Sequence, residues 1–219
     1  MKDRKYIKIP NKITDKSFEM IQDEINETRP DYKFNSEIEA AIIKRAIHTT
    51  ADFDYLDTLS FTGDAIKKVK HVLTHQGVIY TDTTMALSGI NKRKLEELGV
   101  QYHCLIAEPA TFKLAADRGI TRSMAAIKLA AQDDTEKMFV VGNAPTALYK
   151  IIDMQQAGKL DAKVVIGVPV GFVEAKESKV ALDESEIPSI VNIDRKGGSN
   201  LAAALVNAIL YNLDIIEGD

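Results

Sequence analysis

The chain has four histidines, and their neighbours set them apart as proton carriers. His48 stands near the end of the helical pattern AAIIKRAIHTTADFDY, with Arg45 one turn before it and Asp52 one turn after. An imidazole titrates near pH ~6.5, so it can hold or release a proton under cellular conditions. Asp52 is expected to orient the ring and favour its charged form, while Arg45 opposes that charge. The plainer role for His48 is a helix-terminal cation that complements the C-terminal end of the dipole. His71 and His75 share one face of a lysine-rich helix at i,i+4. Without the glutamate of a zincin motif or an evident third ligand, they read as a solvated face, and no metal site is expected. His103 alternates with apolar residues and reads as a packed strand residue. Cys104, in the run YHCLIA, reads as a small buried core residue.

A second set of candidates lies in turns. DRGITRS closes one helix at Gly119 and opens the next at Thr121, so Arg122 and Ser123 project from a helix start. A guanidinium there opposes the dipole, which points to an anionic partner or to an ion pair with Asp117. VVGNAPTAL runs from strand-like residues into Gly142 and Asn143 and places Pro145 where a helix begins. Gly142 leaves backbone bare, Asn143 offers an amide, and the helix start offers free N–H groups to an anion. VIGVPVGFVEAKESK has Gly167, Pro169 and Gly171 in a rigid loop, with Val170 and Phe172 for apolar contact and Ser178 and Lys179 on the following helix. NIDRKGGSNLAAAL sets Arg195 and Lys196 before Gly197, Gly198 and Ser199, and YTDTTMALSGI puts Asp82, Thr83 and Thr84 at a strand end. Glycine and proline punctuate every α/β connection, but several such loops at strand ends favour a site. None is a G-x-G-x-x-G fingerprint and there is no Walker A sequence, which disfavours a nicotinamide or nucleoside-triphosphate enzyme.

The elements that must position these groups show as alternation. Short β-branched runs at 78–81, 102–107, 138–141, 164–168 and 190–192 alternate with amphipathic stretches at 91–98, 122–131, 145–156 and 199–212. Apolar strands separated by helices predict an α/β fold, a doubly wound, mostly parallel sheet with helices on both faces. Residues 1–76 read as mainly helical and 77–219 as alternating, within a single domain. Ser36 and Glu39 form a capping box for the helix that carries His48. A second helix begins at Thr62 or Gly63 and is closed by Gly77.

Composition narrows the functions. With 45% hydrophobic and 27% charged residues, the 219-residue chain has the balance of a globular protein. A formal net charge of −4 argues against a nucleic-acid partner, and leaves any anionic ligand to be held by local groups. The basic start MKDRKYIKIPNK has no apolar stretch after it, and no run approaches a membrane span, so a cytoplasmic protein without a membrane partner is expected. One cysteine permits no internal disulfide, which fits the same compartment.

Taken together, RAIHTTADFD, TDTTMALSGI, GITRS, VVGNAPTAL and VIGVPVGFVEAKESK resemble, in that order, the precorrin-8X methylmutase family, which includes the cobalt-precorrin-8 methylmutases. The resemblance runs from about residue 38 to 210 and is slight over the first thirty residues. It implies an isomerase of cobalamin biosynthesis. A methyl group moves from carbon 11 to carbon 12 of the corrinoid, giving hydrogenobyrinic acid, or cobyrinic acid when cobalt is present. It implies no cofactor, and a homodimer with its site near the subunit interface. The catalytic role carries to His48 and a macrocycle contact to Arg122. The pair after the histidine is Thr49-Thr50, where family members often have Ala-Cys or Ala-Thr. The substrate contacts expected on this basis are Arg45, Asp82, Thr84, Arg122, Ser123, Gly142, Asn143, Pro169, Gly171, Phe172, Ser178 and Lys179, with Arg195 for a further carboxylate arm. Two other classes remain open: a non-catalytic tetrapyrrole carrier, and an α/β enzyme of a small phosphorylated metabolite bound at residues 142–146.

Overall fold

The computed structural model describes residues 9–216. Helix α1 spans Pro10–Thr28 and α2 spans Glu37–Thr50; the single turn α3 at Tyr55–Thr58 leads into strand β1, Leu59–Thr62. There follow α4 (Ala65–Thr74), β2 (Val78–Thr81), α5 (Thr84–Gly89), α6 (Lys92–Glu97), β3 (Gln101–His103), α7 (Pro109–Arg118) and α8 (Arg122–Ala130). The chain continues with β4 (Lys137–Val141), α9 (Pro145–Gln156), β5 (Ala162–Gly167), α10 (Ala175–Asp183), β6 (Ser189–Asn192) and α11 (Ser199–Leu210). The strands form one sheet in the order β1-β6-β5-β4-β2-β3, parallel except for β1, which pairs antiparallel with β6.

Successive residues of a strand point to opposite faces, and both faces here are covered. Ile79, Met138, Val140, Val164, Ile166 and Ile190 face a core shared with α1, α2, α4 and α11. Val78, Tyr80, Phe139, Val141, Val165 and Val191 face a second core under α8 and α9. Two-sided burial is why residues 138–141, MFVV, read as an unbroken apolar run. The alanine-rich α11 is buried nearly all round because α2 and α5 pack on it.

Several expectations are corrected at the edges. Strand β1 was not expected; its pattern is half-buried throughout, and among the described residues it pairs only on the β6 side. The run 102–107 is not one strand: β3 stops at His103 and Leu105–Ala107 turn into a 3-10 helix. His103 is accordingly exposed on the edge strand, its ring 5.6 Å from Tyr80, and Cys104 is half-buried. The helix carrying His48 ends at Thr50, where Ala51 takes a left-handed conformation (φ 55°). Ser36 caps that helix by accepting from the Glu39 N–H at 3.2 Å, but the Glu39 carboxylate accepts from the Asn35 amide rather than closing a reciprocal box. After α4 the left-handed residue is Gln76 (φ 55°), not Gly77.

The order of strands defines a crevice. From β2 the chain goes to β3 on one side and then to β4 on the other, so the carboxyl ends of β2 and β4 flank the point where winding reverses. Open α/β sheets place ligands outside such a point.

Candidate functional site

The crevice between β2 and β4 is already filled. Asp82 follows β2 and is buried, and its carboxylate accepts from the N–H groups of Gly142 (2.9 Å), Asn143 (2.8 Å) and Ala144 (2.8 Å). Burial pushes this carboxyl up, and the three N–H donors oppose that shift. The helix start expected to receive a substrate carboxylate or a phosphate therefore receives a side chain of its own chain. Gly142 has a different reason to lack a side chain: a Cβ there would stand 2.6 Å from Ser199 Cα. The Ser199 hydroxyl in turn meets Thr83 Oγ1 at 2.7 Å, and Thr83 caps α5 through the Ala86 N–H. Asp82 and Gly142 are thus removed from the surface, while Asn143 and Thr84 remain exposed beside them.

The two loops after β5 and β6 are joined to each other. Gly198 N–H donates to Val168 O (2.8 Å) and Gly171 N–H to Arg195 O (3.1 Å). Gly197 has φ 156°, and a Cβ there would come within 2.1 Å of Val168 O. Lys179 does not reach out to a ligand. It is fully buried on α10 and donates to Pro169 O (2.9 Å) and Lys196 O (2.8 Å), its pKa pushed down to about 8 by burial. Ser178 is equally buried and donates to Ala175 O. These two residues, and the buried Pro169, hold the loop from beneath, and they leave the list of surface contacts. What the loop presents outward is Phe172, 84% exposed, with the Arg195 guanidinium 5.6 Å from its ring centre.

His48 lies in the last turn of α2 and is exposed. Its Nδ1 is 2.8 Å from Ser17 Oγ on α1, and its ring stacks on Phe18 with centroids 5.4 Å apart. Asp52 does not orient it. The break at Ala51 takes Asp52 off the helix, and its carboxylate pairs with Lys196 at 2.6 Å, beside Asp54. Burial and then the Arg45 charge hold the His48 imidazolium below its ordinary pKa. Arg45 is half-buried, its guanidinium 4.8 Å from the Phe18 ring centre. Among the described residues nothing hydrogen-bonds His48 Nε2. The ring borders an open groove of 710 Å³ between α1 and α2, floored by Ile21, Ile47 and Phe53 and edged by Lys16 and Glu24. Ser17 and Phe18 were not expected in the site. No local pattern marks them, because the contact spans thirty-one residues of sequence.

Arg122 begins α8 and lies over Phe112, 5.0 Å from the ring centre. Its alternative partner Asp117 pairs instead with Lys113. Thr121 caps α8 by accepting from the Met124 N–H, and its hydroxyl is 3.1 Å from Thr146 Oγ1 on α9. Ser123, half-buried, borders the same void of 10 Å³ as Asp82. Arg45, Arg122 and Arg195 share one arrangement: each guanidinium lies on a phenylalanine ring, and none forms an ion pair among the described residues. His71 and His75 stack at 4.0 Å with Glu136 3.0 Å from His71 Nε2, and the described residues contain no group of three or more side chains able to hold a metal ion.

Comparisons with known proteins agree over nearly the whole chain. The sequence profile of the family described as precorrin-8X methylmutase matches residues 12–212. The match includes Ser17 and Phe18, so it reaches further toward the N-terminus than the sequence motifs suggested. A cobalt-precorrin-8 methylmutase of Salmonella typhimurium is 53% identical over 209 residues, 95% of this chain and 98% of that protein. One from Methanocaldococcus jannaschii is 37% identical over 90% of this chain and 91% of its own length. A crystal structure of precorrin-8X methylmutase from Thermus thermophilus superposes with a TM-score of 0.83 at 31% identity, covering 93% of this chain and 96% of that one.

Proposed function

The chain belongs to the precorrin-8X methylmutase family, and from that premise we propose that His48 is the acid of a methyl shift on a corrinoid bound over the α1–α2 groove. The protein is an isomerase of cobalamin biosynthesis that moves a methyl group on the macrocycle. In our reading the methyl leaves carbon 11 as its bond to carbon 12 forms. The imidazolium lends a proton to the conjugated ring, which polarises it, and the imidazole takes the proton back, so nothing is consumed. Positioned acid catalysis of this kind supplies ~10²–10⁴-fold.

The observation that carries the reading is the environment of His48. Ser17 fixes one ring nitrogen at 2.8 Å, Phe18 fixes the ring plane, and the other nitrogen is left for the ligand. The floor of the groove is apolar, as a macrocycle requires, and its 710 Å³ falls in the range of small-molecule sites. Arg45, Arg122 and Arg195 are the cations we assign to carboxylate arms, with the exposed Thr84, Asn143 and Phe172 and the half-buried Gly171 as rim. The cobalt-containing substrate is favoured by the names of the relatives at 53% and 37% identity. A homodimer with the site near the interface belongs to the same reading, supported by the exposed apolar residues Ile13 and Met20 on the α1 wall of the groove. A cytoplasmic location fits too: no helix of the described residues is long and apolar enough to cross a membrane.

His48→Ala should keep product affinity within a few-fold and lose turnover by about two to four orders of magnitude. Turnover near wild type on either form of precorrin-8 would exclude His48 as the acid. Binding without turnover by the wild-type protein would instead favour a carrier.

A further inference from the structure

We propose that Asp82 is a positioning residue for Arg122: its carboxylate stands where an α/β protein would hold a ligand, and thereby fixes the start of α8. The proposal rests on the reading of Arg122 as a substrate-binding cation.

The geometry gives two routes from Asp82 to Arg122. The first runs through backbone. Three N–H groups of residues 142–144 converge on the carboxylate at 2.8–2.9 Å, which pins the turn that opens α9. One residue into that helix, Thr146 Oγ1 meets Thr121 Oγ1 at 3.1 Å. Thr121 is the cap of α8, accepting from the Met124 N–H at 3.1 Å, and Arg122 is the first residue of that helix. The second route is packing. Asp82, Tyr80, Ser123 and Ala126 border one void of only 10 Å³, so the first turn of α8 and the buried acid line the same small gap. A guanidinium that must meet a carboxylate arm within a few tenths of an ångström needs such a support, because its own long side chain supplies none.

Removing the carboxylate leaves three converging N–H donors and a vacancy about the size of formate. That chemistry separates an anion-dependent support from generic packing. Product affinity would be measured by spectral titration with cobyrinic or hydrogenobyrinic acid for Asp82→Ala, with formate and with chloride at equal ionic strength, alone and combined with Arg122→Ala. Asp82→Ala should weaken product binding by about tenfold, and formate, not chloride, should restore most of it. In the Arg122→Ala background the same change should cost less than about twofold, because the support then has nothing to position. Additive losses, or no recovery with formate, would overturn the proposal while leaving the role of Arg122 intact. Unchanged affinity in Arg122→Ala alone would sink both. If Asp82→Ala does not fold, Asp82→Asn keeps the shape but turns an amide toward the N–H groups; wild-type affinity in that variant would overturn the proposal equally.

Discussion

Among the described residues His48 has no carboxylate of its own to hold its proton. Asp52 is paired with Lys196, the only partner at Nδ1 among the described residues is the Ser17 hydroxyl, and burial and then Arg45, one turn away, disfavour the imidazolium. In the free protein the ring is therefore biased toward its neutral form. A polycarboxylate ligand reverses the bias by bringing negative charge, so the substrate helps to charge its own acid. The sign of the pH dependence follows. kcat/KM reports the free protein, and the active form is protonated, so kcat/KM should fall as pH rises through a value below ~6.5. Arg45→Met removes the opposing charge and should move that limb to higher pH, whatever it does to KM. A limb that stays fixed or moves down in the pH–rate profile would show that Arg45 does not tune His48. Ser17→Ala frees the ring without changing its charge state directly. It should lower kcat by about tenfold while leaving product affinity nearly unchanged.

At the scale of elements, the loops after β5 and β6 behave as one rigid rim because their backbones touch. Gly197→Ala would force a side chain into Val168 O at a φ that disfavours one, and should cost about 4 kcal/mol or prevent folding, as read by urea melting. Lys179 stabilises the same rim at the expense of a buried charge. Its folded pKa, about 8, lies below the 10.5 of the free side chain, so between these values the unfolded chain binds more protons. Stability contributed by this group therefore rises from pH 8 to 10.5 and is lowest below 8. The difference in unfolding free energy between wild type and Lys179→Met should grow across that window; a flat difference would mean that the amine stays charged. The same rim marks the limit of what sequence patterns disclose. The alternation of apolar runs and helices was legible, down to α9 starting at Pro145 and ending at Gln156, because period and capping are local. Asp82, Ser178 and Lys179 were legible only as polar residues near strand ends. Whether such a group faces a ligand or a neighbouring backbone depends on contacts such as Asp82 to Gly142, sixty residues apart, which no local pattern encodes. Strand β1 was missed for a related reason: its half-buried residues draw their pairing from β6, at the far end of the chain.

For the whole molecule the question is how a chain of net charge −4 captures a ligand carrying several carboxylates. The overall field repels such a ligand, and the three arginines stacked on phenylalanine attract it. Distance decides which prevails. At physiological salt the Debye length is ~8 Å, so charge spread over the molecule is largely screened, whereas a guanidinium meeting a carboxylate at contact is not. Local attraction should therefore set affinity, and salt should weaken it. The product dissociation constant should rise steadily as ionic strength increases from about 0.05 to 0.5 M, and Arg122→Ala should give a shallower rise from a weaker starting value. If salt instead tightened binding, long-range repulsion would dominate and the arginines would not be the anchors of the carboxylate arms. A slope unchanged by Arg122→Ala would leave Arg45 and Arg195 as the remaining cations to test in the same titration.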